Sequence, residues 1–128
     1  PLILSHEVAF SILGGARYGK RVTINPLLNC GLYKACKIGR ANLCPERQIL
    51  SLSPREGGFA QFVSIAEANT VTVPEWVSLE QVSLTTLVAC RWHSVRLARK
   101  ALGRDLQSAR CLVIGGGAIG AGVGLSLR

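Results

Sequence analysis

The chain has 128 residues, a formal net charge of +8 and only 5% aromatic residues. Its basic residues are scattered rather than clustered beside aromatic side chains, which argues against nucleic acid as a partner. No apolar run approaches the roughly 20 residues that a membrane-spanning helix needs, so we expect no membrane partner. Five cysteines are an odd number, and no signal-peptide pattern precedes them, so we expect a reducing, cytoplasmic location without a disulfide framework.

Four segments in the first part of the chain have the pattern of β-strands, with alternating or β-branched apolar residues bounded by glycine or proline. They are residues 2–13, 21–25, 59–65 and 70–73. The second of them alternates polar and apolar residues before Pro26, as a half-buried strand does. Together these segments predict a small β-rich core.

Residues 27–58 interrupt this pattern with three cysteines, several glycines and prolines and no sustained period, so we predict a loop-rich lobe. Cys30, Cys36 and Cys44 lie close together in this cysteine lobe, where few apolar residues can hold the chain by burial. Zinc in structural sites favours four thiolates and contributes folding free energy when it binds. The three thiols are therefore a candidate zinc site that is one ligand short. The alternative is that they are ordinary reduced cysteines.

A helix is predicted after the last of these strands. Ser78 and Gln81 have the spacing of a capping box, in which each side chain bonds the other residue's backbone N–H. Apolar residues recur at helical spacing up to Leu97, and basic residues precede Gly103, as is typical of a helix C-terminus. Residues 104–108 then form a predicted polar turn.

The segment at residues 111–120 joins an apolar run to glycines with G-x-G-x-x-G spacing and predicts a buried parallel strand, a tight turn and a helix start. In a dinucleotide-binding site Gly115 makes the turn, Gly117 lets the pyrophosphate approach the backbone, and Gly120 lets the helix lie close to the strand. The cofactor is NAD or NADP, because the acidic residue that separates them is expected beyond residue 128. The alternative is a simple glycine-rich loop.

His6 and Glu7 form a second candidate metal site, because imidazole nitrogen and carboxylate oxygen both bind zinc. Adjacent residues of a strand point to opposite faces, so only an irregular backbone can direct both side chains to one ion. The alternative is that the pair is an ordinary strand end.

Taken in order, five stretches of the sequence resemble the zinc-dependent medium-chain alcohol and polyol dehydrogenases, with the sorbitol or sugar-alcohol branch nearest. They are residues 5–9, residues 21–26, the cysteine lobe with its ending Asn42-Leu43-Cys44, residues 55–60 and residues 113–120. The resemblance implies an α/β chain with a β-rich part. It divides the chain into a GroES-like catalytic domain portion at residues 1–77, a connecting helix region at residues 78–104, and the first β-α of a Rossmann domain at residues 105–128.

Carried over residue by residue, the resemblance makes His6 a catalytic zinc ligand and Glu7 the acidic residue beside it, which serves as a ligand or supports one. Both are our candidate catalytic residues. The implied chemistry is zinc-assisted oxidation of an alcohol or polyol to a carbonyl, with NAD or NADP as the hydride acceptor. The resemblance also implies a homo-oligomer for the full-length protein.

The cysteine lobe matches three of the four structural zinc cysteines of the family. Three positions depart from the family's pattern: Ser5 replaces a glycine, Tyr33 a zinc cysteine, and Thr86 an acidic or cysteine ligand. The family's catalytic cysteine is expected upstream of Pro1, so we predict a fragment truncated at both ends that is inactive alone. The alternative function is a non-enzymatic, cysteine-rich zinc-binding module with an acidic partner.

Overall fold

The computed structural model describes residues 2–127, so Pro1 and Arg128, the outer ends of the predicted domains, lie outside it. The described chain forms two compact units, of which the first ends at Ser83 and the second begins at Leu84. The first unit contains the strands and the cysteine lobe, whereas the second is helical. None of the helices within the described residues is long and apolar enough to cross a membrane.

Five short strands are found in the described part of the first unit: β1 (Ala9–Ser11), β2 (Arg21–Ile24), β3 (Leu27–Leu28), β4 (Gln48–Ile49) and β5 (Thr70–Thr72). β2 lies between β1 and β5 in an antiparallel sheet, and β3 pairs with β4 in a second, antiparallel sheet. The strands predicted at residues 21–25 and 70–73 are therefore confirmed.

β2 is more deeply buried than its alternating sequence predicts. Val22, Thr23 and Ile24 are all buried, and because consecutive strand residues point to opposite faces, both faces of this middle strand are covered. The hydroxyl of Thr23 donates a hydrogen bond to the carbonyl oxygen of Val8 at 3.0 Å, which satisfies the one polar side chain among the three. The prediction of a half-buried strand was wrong at this position.

The core of the first unit is a small apolar cluster to which distant parts of the chain contribute. Its buried members are Val8, Ile24 and Leu50. Partly buried side chains pack against it, namely Phe10, Val63 and Ile65. Residues from the segment predicted as the third strand therefore reach the core without forming a strand.

Two of the predicted strands need correction. The strand predicted at residues 2–13 is limited to β1, and residues 59–65 form no strand. The N–H groups of Gly57, Gly58 and Phe59 donate to the carbonyl oxygens of Ile3, Ser5 and Leu4, respectively, at 2.7, 2.7 and 3.0 Å. In a β-ladder only alternate residues face the same partner. The contact is therefore irregular, and no regular strand extends through either segment.

The β3–β4 pair forms the base of the cysteine lobe, and residues 29–47 connect the two strands. It contains one turn of helix, α1 (Lys34–Lys37), and one 3-10 turn (Ala41–Leu43). The side-chain amide of Asn69 donates to the carbonyl oxygens of Asn25 and Leu27 at 2.9 and 2.8 Å, which fixes the base of the lobe beside the end of β2. The lobe is thus loop-rich, as predicted.

The capping box predicted at Ser78 and Gln81 is confirmed. The Gln81 N–H donates to Ser78 Oγ at 3.2 Å, and the Ser78 N–H donates to Gln81 Oε1 at 3.1 Å. This box begins α2 (Leu79–Ser83), and the helical pattern is then interrupted at Leu84 before α3 (Thr85–Leu102). The single predicted helix is therefore two helices.

The second unit consists mainly of α3 and α4 (Ala118–Ser126), which pack against each other. α3 is capped by Gly103, which has a φ of 63° and donates its N–H to the carbonyl oxygen of Arg99 at 3.1 Å, as predicted for a glycine cap. Gly122 is buried in the helix pair, where a Cβ would lie 2.5 Å from Cδ of Arg91. A larger residue at this position would require the Arg91 side chain to move.

The buried strand predicted at residues 111–114 is wrong. These residues form no strand, and Leu112 and Ile114 are 86% and 91% exposed. A parallel strand is held by hydrogen bonds to neighbouring strands and by helices on both faces. The part of the second unit that the structure describes contains no strand that could pair with it. The helix start predicted after the glycines is confirmed by α4.

Candidate metal and nucleotide sites

The three cysteines of the lobe are brought together by its local structure. Cys30 follows β3, Cys36 lies in α1, and Cys44 follows the 3-10 turn. Their Sγ atoms all lie within 4.8 Å of one another, and those of Cys30 and Cys44 are 3.5 Å apart. Two thiolates on a tetrahedral zinc ion stand about 3.8 Å apart, given Zn–S bonds of about 2.3 Å. The cluster is therefore close to the geometry of a zinc site.

Hydrogen bonding and burial shift the pKa values of two of these thiols in opposite directions. The backbone N–H groups of Leu32 and Tyr33 lower the pKa of the Cys30 thiol, and the Leu32 nitrogen lies 3.4 Å from Cys30 Sγ. Burial raises the pKa of the Cys36 thiol, and the neighbouring Cys44 adds to this effect. Cys30 therefore ionises more readily than Cys36, and thiolates are the form that binds metal.

The cluster offers three side chains that could bind a metal ion. Within residues 2–127, no His, Asp or Glu side chain joins the three cysteines. Tyr33, at which the resemblance places a zinc cysteine, is the N-cap residue of α1 and makes no side-chain capping hydrogen bond. A metal ion held by three protein ligands keeps a fourth position for water or another small ligand.

His6 and Glu7 come close together because the residues before β1 are not a strand. Nε2 of His6 is 3.9 Å from Oε1 of Glu7, and the two side chains are 41% and 30% exposed. Ser5 has a φ of 78°, which turns the backbone just before the pair, and its hydroxyl accepts a hydrogen bond from the Glu7 N–H at 3.2 Å. The irregular backbone that a shared ion requires is thus present.

Glu7 has one feature that points to a cation. Its Oε2 is buried, and no group in residues 2–127 donates a hydrogen bond to it. Burying such an atom lowers the stability of the fold unless a hydrogen-bond donor or a cation binds to it. No third His, Cys, Asp or Glu side chain joins the pair in the described chain, and Thr86 lies in α3 of the other unit. His6 and Glu7 therefore fit part of a metal site.

Glu7 also lines a cavity of about 630 Å³ in the first unit. Apolar side chains form much of its wall, including Phe10, Leu13, Phe62 and Val63. Small-molecule sites are typically concave and mostly apolar, with a few polar groups that orient the ligand. Glu7 of the candidate metal pair therefore borders a space that can receive a small organic molecule.

Two adjacent glycines, Gly57 and Gly58, hold the segment that carries this pair, a role that the sequence pattern alone did not reveal. A Cβ on Gly57 would lie 2.4 Å from the carbonyl carbon and oxygen of Leu4. A Cβ on Gly58 would lie 1.9 Å from Cγ1 of Val8. The sequence offered two signals, the resemblance of residues 55–60 and the pair of glycines itself, which permits two stretches of backbone to meet.

The glycines of the predicted nucleotide motif lie at the start of α4. Gly115 has a φ of 104°, and Gly117 is the N-cap residue of α4 and accepts a hydrogen bond from the Ala121 N–H at 2.9 Å. A Cβ on Gly117 would meet no atom of the described residues within 4 Å, whereas one on Gly120 would lie 1.9 Å from the Gly115 carbonyl oxygen. The start of α4 is therefore open at Gly117 and closely packed at Gly120.

Known proteins resemble the chain over most of its length. The alcohol dehydrogenase GroES-like domain matches residues 1–75. Sorbitol dehydrogenase from Bacillus subtilis is 37% identical over 90 residues, which cover 66% of this chain and 26% of that protein. In the structure of an NAD-dependent alcohol dehydrogenase, the match is 31% identical, has a TM-score of 0.69 and covers 80% of this chain and 31% of that one.

A third similar protein is an alcohol dehydrogenase from Escherichia coli, described as short-chain and complexed with NADH. It is 25% identical, with a TM-score of 0.81, and the match covers 96% of this chain and 36% of that one. The chain therefore spans at most little more than a third of the length of these three proteins.

Proposed function

The chain belongs to the zinc-dependent medium-chain dehydrogenases, whose alcohol dehydrogenase GroES-like domain it contains, and we propose from this that it is part of an oxidoreductase. The proposed reaction is NAD- or NADP-linked oxidation of an alcohol or polyol to a carbonyl. The observation that carries the proposal is the His6–Glu7 pair, in which two zinc-binding side chains lie 3.9 Å apart and one buried carboxylate oxygen has no donor among residues 2–127.

In this proposal the residues of the first unit bind and orient the reactants. His6 offers Nε2 and Glu7 offers its carboxylate to a zinc ion. When bound, zinc supplies Lewis acidity that lowers the pKa of an alcohol and favours transfer of its hydride to a nicotinamide. The apolar wall of the cavity beside Glu7 receives the carbon chain of the substrate and excludes water from it.

The proposal assigns the glycine segment to nucleotide binding. Residues 105–128 begin a Rossmann domain, residues 78–104 connect it, and residues 1–77 are the catalytic portion. The first turn of α4 presents free N–H groups and the positive end of the helix dipole, which together favour a pyrophosphate. The open space at Gly117 supports this assignment, with Gly115 and Gly120 shaping the turn. These residues are compatible with either NAD or NADP.

The cysteine lobe is proposed as a structural zinc site held by Cys30, Cys36 and Cys44. The support is that the three Sγ atoms lie within 4.8 Å of one another. Between β3 and β4, at residues 29–47, Cys44 is the one buried residue. Metal binding would therefore contribute much of the free energy that orders this part of the lobe. A non-enzymatic zinc module with an acidic partner is not favoured, because the similar proteins are dehydrogenases.

For the full-length protein we propose a homo-oligomer in the cytoplasm. The support is the resemblance described above and the five cysteines, all of which are free thiols in the structure. Light scattering of the full-length protein tests the oligomeric state.

A chimera tests the proposed activity, because residues 1–75 can replace the matching segment of the Bacillus subtilis sorbitol dehydrogenase. We expect zinc-dependent oxidation of sorbitol by the chimera, followed through formation of NADH. His6→Ala should lower kcat/KM by about 100-fold or more, because removing a direct ligand should exceed the 10–100-fold cost of removing the group that supports one. Glu46→Gln, which changes an exposed carboxylate in the lobe, should leave it unchanged. A folded, zinc-containing chimera without activity would contradict the proposal.

A further inference from the structure

We propose that Cys30 and Cys44 are a site of reversible oxidation, at which a peroxide converts the two thiols into an intramolecular disulfide. Their Sγ atoms are 3.5 Å apart. Thiolates that share a zinc ion stand about 3.8 Å apart, so these two sulfurs are already closer than a metal ion requires. The bond length of a disulfide is about 2.05 Å, so the atoms have to approach by only about 1.5 Å.

The two cysteines have complementary surroundings. Cys44 is fully buried, its N–H donates to the carbonyl oxygen of Ala41 at 3.0 Å, and its own carbonyl oxygen accepts from the Arg47 N–H at 3.2 Å. Cys30 is exposed and lies in the turn after β3. A dissolved oxidant therefore reaches Cys30 first, while Cys44 is held in place directly behind it. This is the arrangement of a reacting thiol beside a resolving thiol.

The chemistry takes two balanced steps when the oxidant is hydrogen peroxide. The Cys30 sulfur attacks one peroxide oxygen, the O–O bond breaks, and one water leaves, so that Cys30 becomes a sulfenic acid. The Cys44 sulfur then attacks the Cys30 sulfur, the S–O bond breaks, and a second water leaves. In sum, two thiols lose two electrons and two protons to the peroxide and become one disulfide.

Oxidation and metal binding compete for the same sulfur atoms. This competition rests on the proposed zinc site, whereas formation of the disulfide does not. A zinc-bound thiolate has its lone pair engaged, and a disulfide leaves Cys36 as the one thiol of the cluster. Because the cluster lacks a fourth His, Cys, Asp or Glu ligand among residues 2–127, a metal ion there is open to displacement. The lobe would therefore release zinc when its cysteines are oxidised.

Peptide mapping identifies which cysteines become linked. Trypsin separates the three cysteines, because Lys34, Lys37 and Arg40 lie between them. The resulting peptides are residues 22–34 with Cys30, residues 35–37 with Cys36, and residues 41–47 with Cys44. Each pairing therefore gives a linked product of a different mass.

The experiment treats the metal-free chain with one equivalent of hydrogen peroxide, in a form with Cys90→Ser and Cys111→Ser that removes the two exposed cysteines outside the lobe. We expect a monomer in which residues 22–34 are linked to residues 41–47 and a dithiol reverses the link. A main product that links residues 22–34 to 35–37, a link between chains, or an unreacted Cys30 would each overturn the proposal.

Two single variants of this form test the order of the steps. In Cys44→Ser the sulfenic acid on Cys30 has lost the thiol 3.5 Å away, and Cys36 is the other thiol of the cluster. A dimedone-type reagent present during oxidation should therefore trap the sulfenic acid on residues 22–34. In the matched control Cys36→Ser the link between Cys30 and Cys44 should still form. Dimedone trapping on Cys36 instead of Cys30 would contradict the assignment of the reacting thiol.

The rate of disulfide formation, measured with and without zinc, tests the oxidation site and the metal site independently. At zinc concentrations ten times the dissociation constant, only about one cluster in eleven is metal-free, so disulfide formation should slow about tenfold. If zinc leaves the rate unchanged while the Cys30–Cys44 link forms, the zinc site is contradicted and the oxidation site is supported.

Discussion

Two glycine segments of the chain, residues 57–58 and residues 115–120, differ in what surrounds them. Gly57 and Gly58 face the backbone and side chains of residues 3–8 so closely that a Cβ on either would clash. At Gly117, a Cβ would meet no described atom within 4 Å. Glycine at residues 57–58 therefore permits a close contact within the fold, whereas glycine at residue 117 leaves open space at the start of a helix.

Motif spacing can be recognised in the sequence, whereas close packing between distant segments cannot. The glycines at residues 115–120 have a recognisable spacing, yet the strand expected before them does not form in the described chain. The glycines at residues 57–58 have no distinctive spacing, yet they hold the backbone that places His6 beside Glu7. A sequence motif can predict which ligand a segment binds, whereas a close contact between distant residues can be found only after the fold is known.

The largest effect on stability is expected at Gly57. Gly57→Ala places a methyl group 2.4 Å from the Leu4 carbonyl, and backbone atoms cannot rotate out of the way as a flexible side chain can. The hydrogen bond from the Gly57 N–H to the Ile3 carbonyl oxygen, now 2.7 Å, would also be distorted. We expect the free energy of unfolding to fall by about 2–3 kcal/mol, as measured by urea denaturation.

Gly14→Ala is the matched control for this change, because a Cβ on Gly14 meets no described atom within 4 Å. It should change the free energy of unfolding by less than about 0.5 kcal/mol. Equal losses for the two variants would mean that the contact between residues 57–58 and 3–8 does not stabilise the first unit.

The parts of the fold that could be predicted depend on residues close in sequence. The capping box at Ser78 and the glycine cap at Gly103 each involve a few neighbouring positions, and both were predicted. The three cysteines of the lobe also lie near one another in sequence, and they form the predicted cluster. Local hydrogen bonding and spacing decide these features, so the sequence contains the information that they need.

The features that could not be predicted depend on distant partners. Residues 59–65 have the composition of a strand, but residues 57–59 are engaged by residues 3–5, more than fifty positions away. The approach of His6 to Glu7 depends on the positive φ of Ser5, which serine rarely adopts. Neither the distant contact nor the unusual backbone can be inferred from residue type.

The second prediction is an effect on ligand binding with little change in the fold. Gly117→Val fills the space at the start of α4, where the proposal places the pyrophosphate. In a form extended to a complete nucleotide-binding domain, this change should abolish NADH binding, as measured by fluorescence titration. Valine is a poorer N-cap residue than glycine, so α4 should lose at most about 1 kcal/mol.

Gly124→Val is the matched control, because it adds the same side chain to α4 at a position where a Cβ also meets no described atom within 4 Å. It should bind NADH as the parent does. Circular dichroism should show that both variants keep their helices. Unchanged NADH binding by a folded Gly117→Val variant would rule out the proposed pyrophosphate site.

The smallest expected effect concerns Ser5, whose carbonyl oxygen accepts a hydrogen bond from the Gly58 N–H at 2.7 Å. A side chain in the left-handed region costs about 1–2 kcal/mol, and glycine removes this cost. Glycine also lacks the hydroxyl that accepts a hydrogen bond from the Glu7 N–H, which costs about 0.5–1.5 kcal/mol of stability. A further loss of about 0.5–1 kcal/mol arises because glycine makes the unfolded chain more flexible. We therefore expect Ser5→Gly to be nearly neutral.

Ser5→Ala isolates the strain, because it keeps a Cβ at the positive φ and loses the hydroxyl. It should be less stable than Ser5→Gly by about 1 kcal/mol in urea denaturation. Ser11 in β1 gives the matched pair, since in an ordinary strand Ser11→Ala should be more stable than Ser11→Gly by about 0.5–1 kcal/mol. The order of alanine and glycine should therefore reverse between the two positions. The same order at both would show that the backbone at Ser5 is not strained, and the turn that brings His6 to Glu7 would then need another cause.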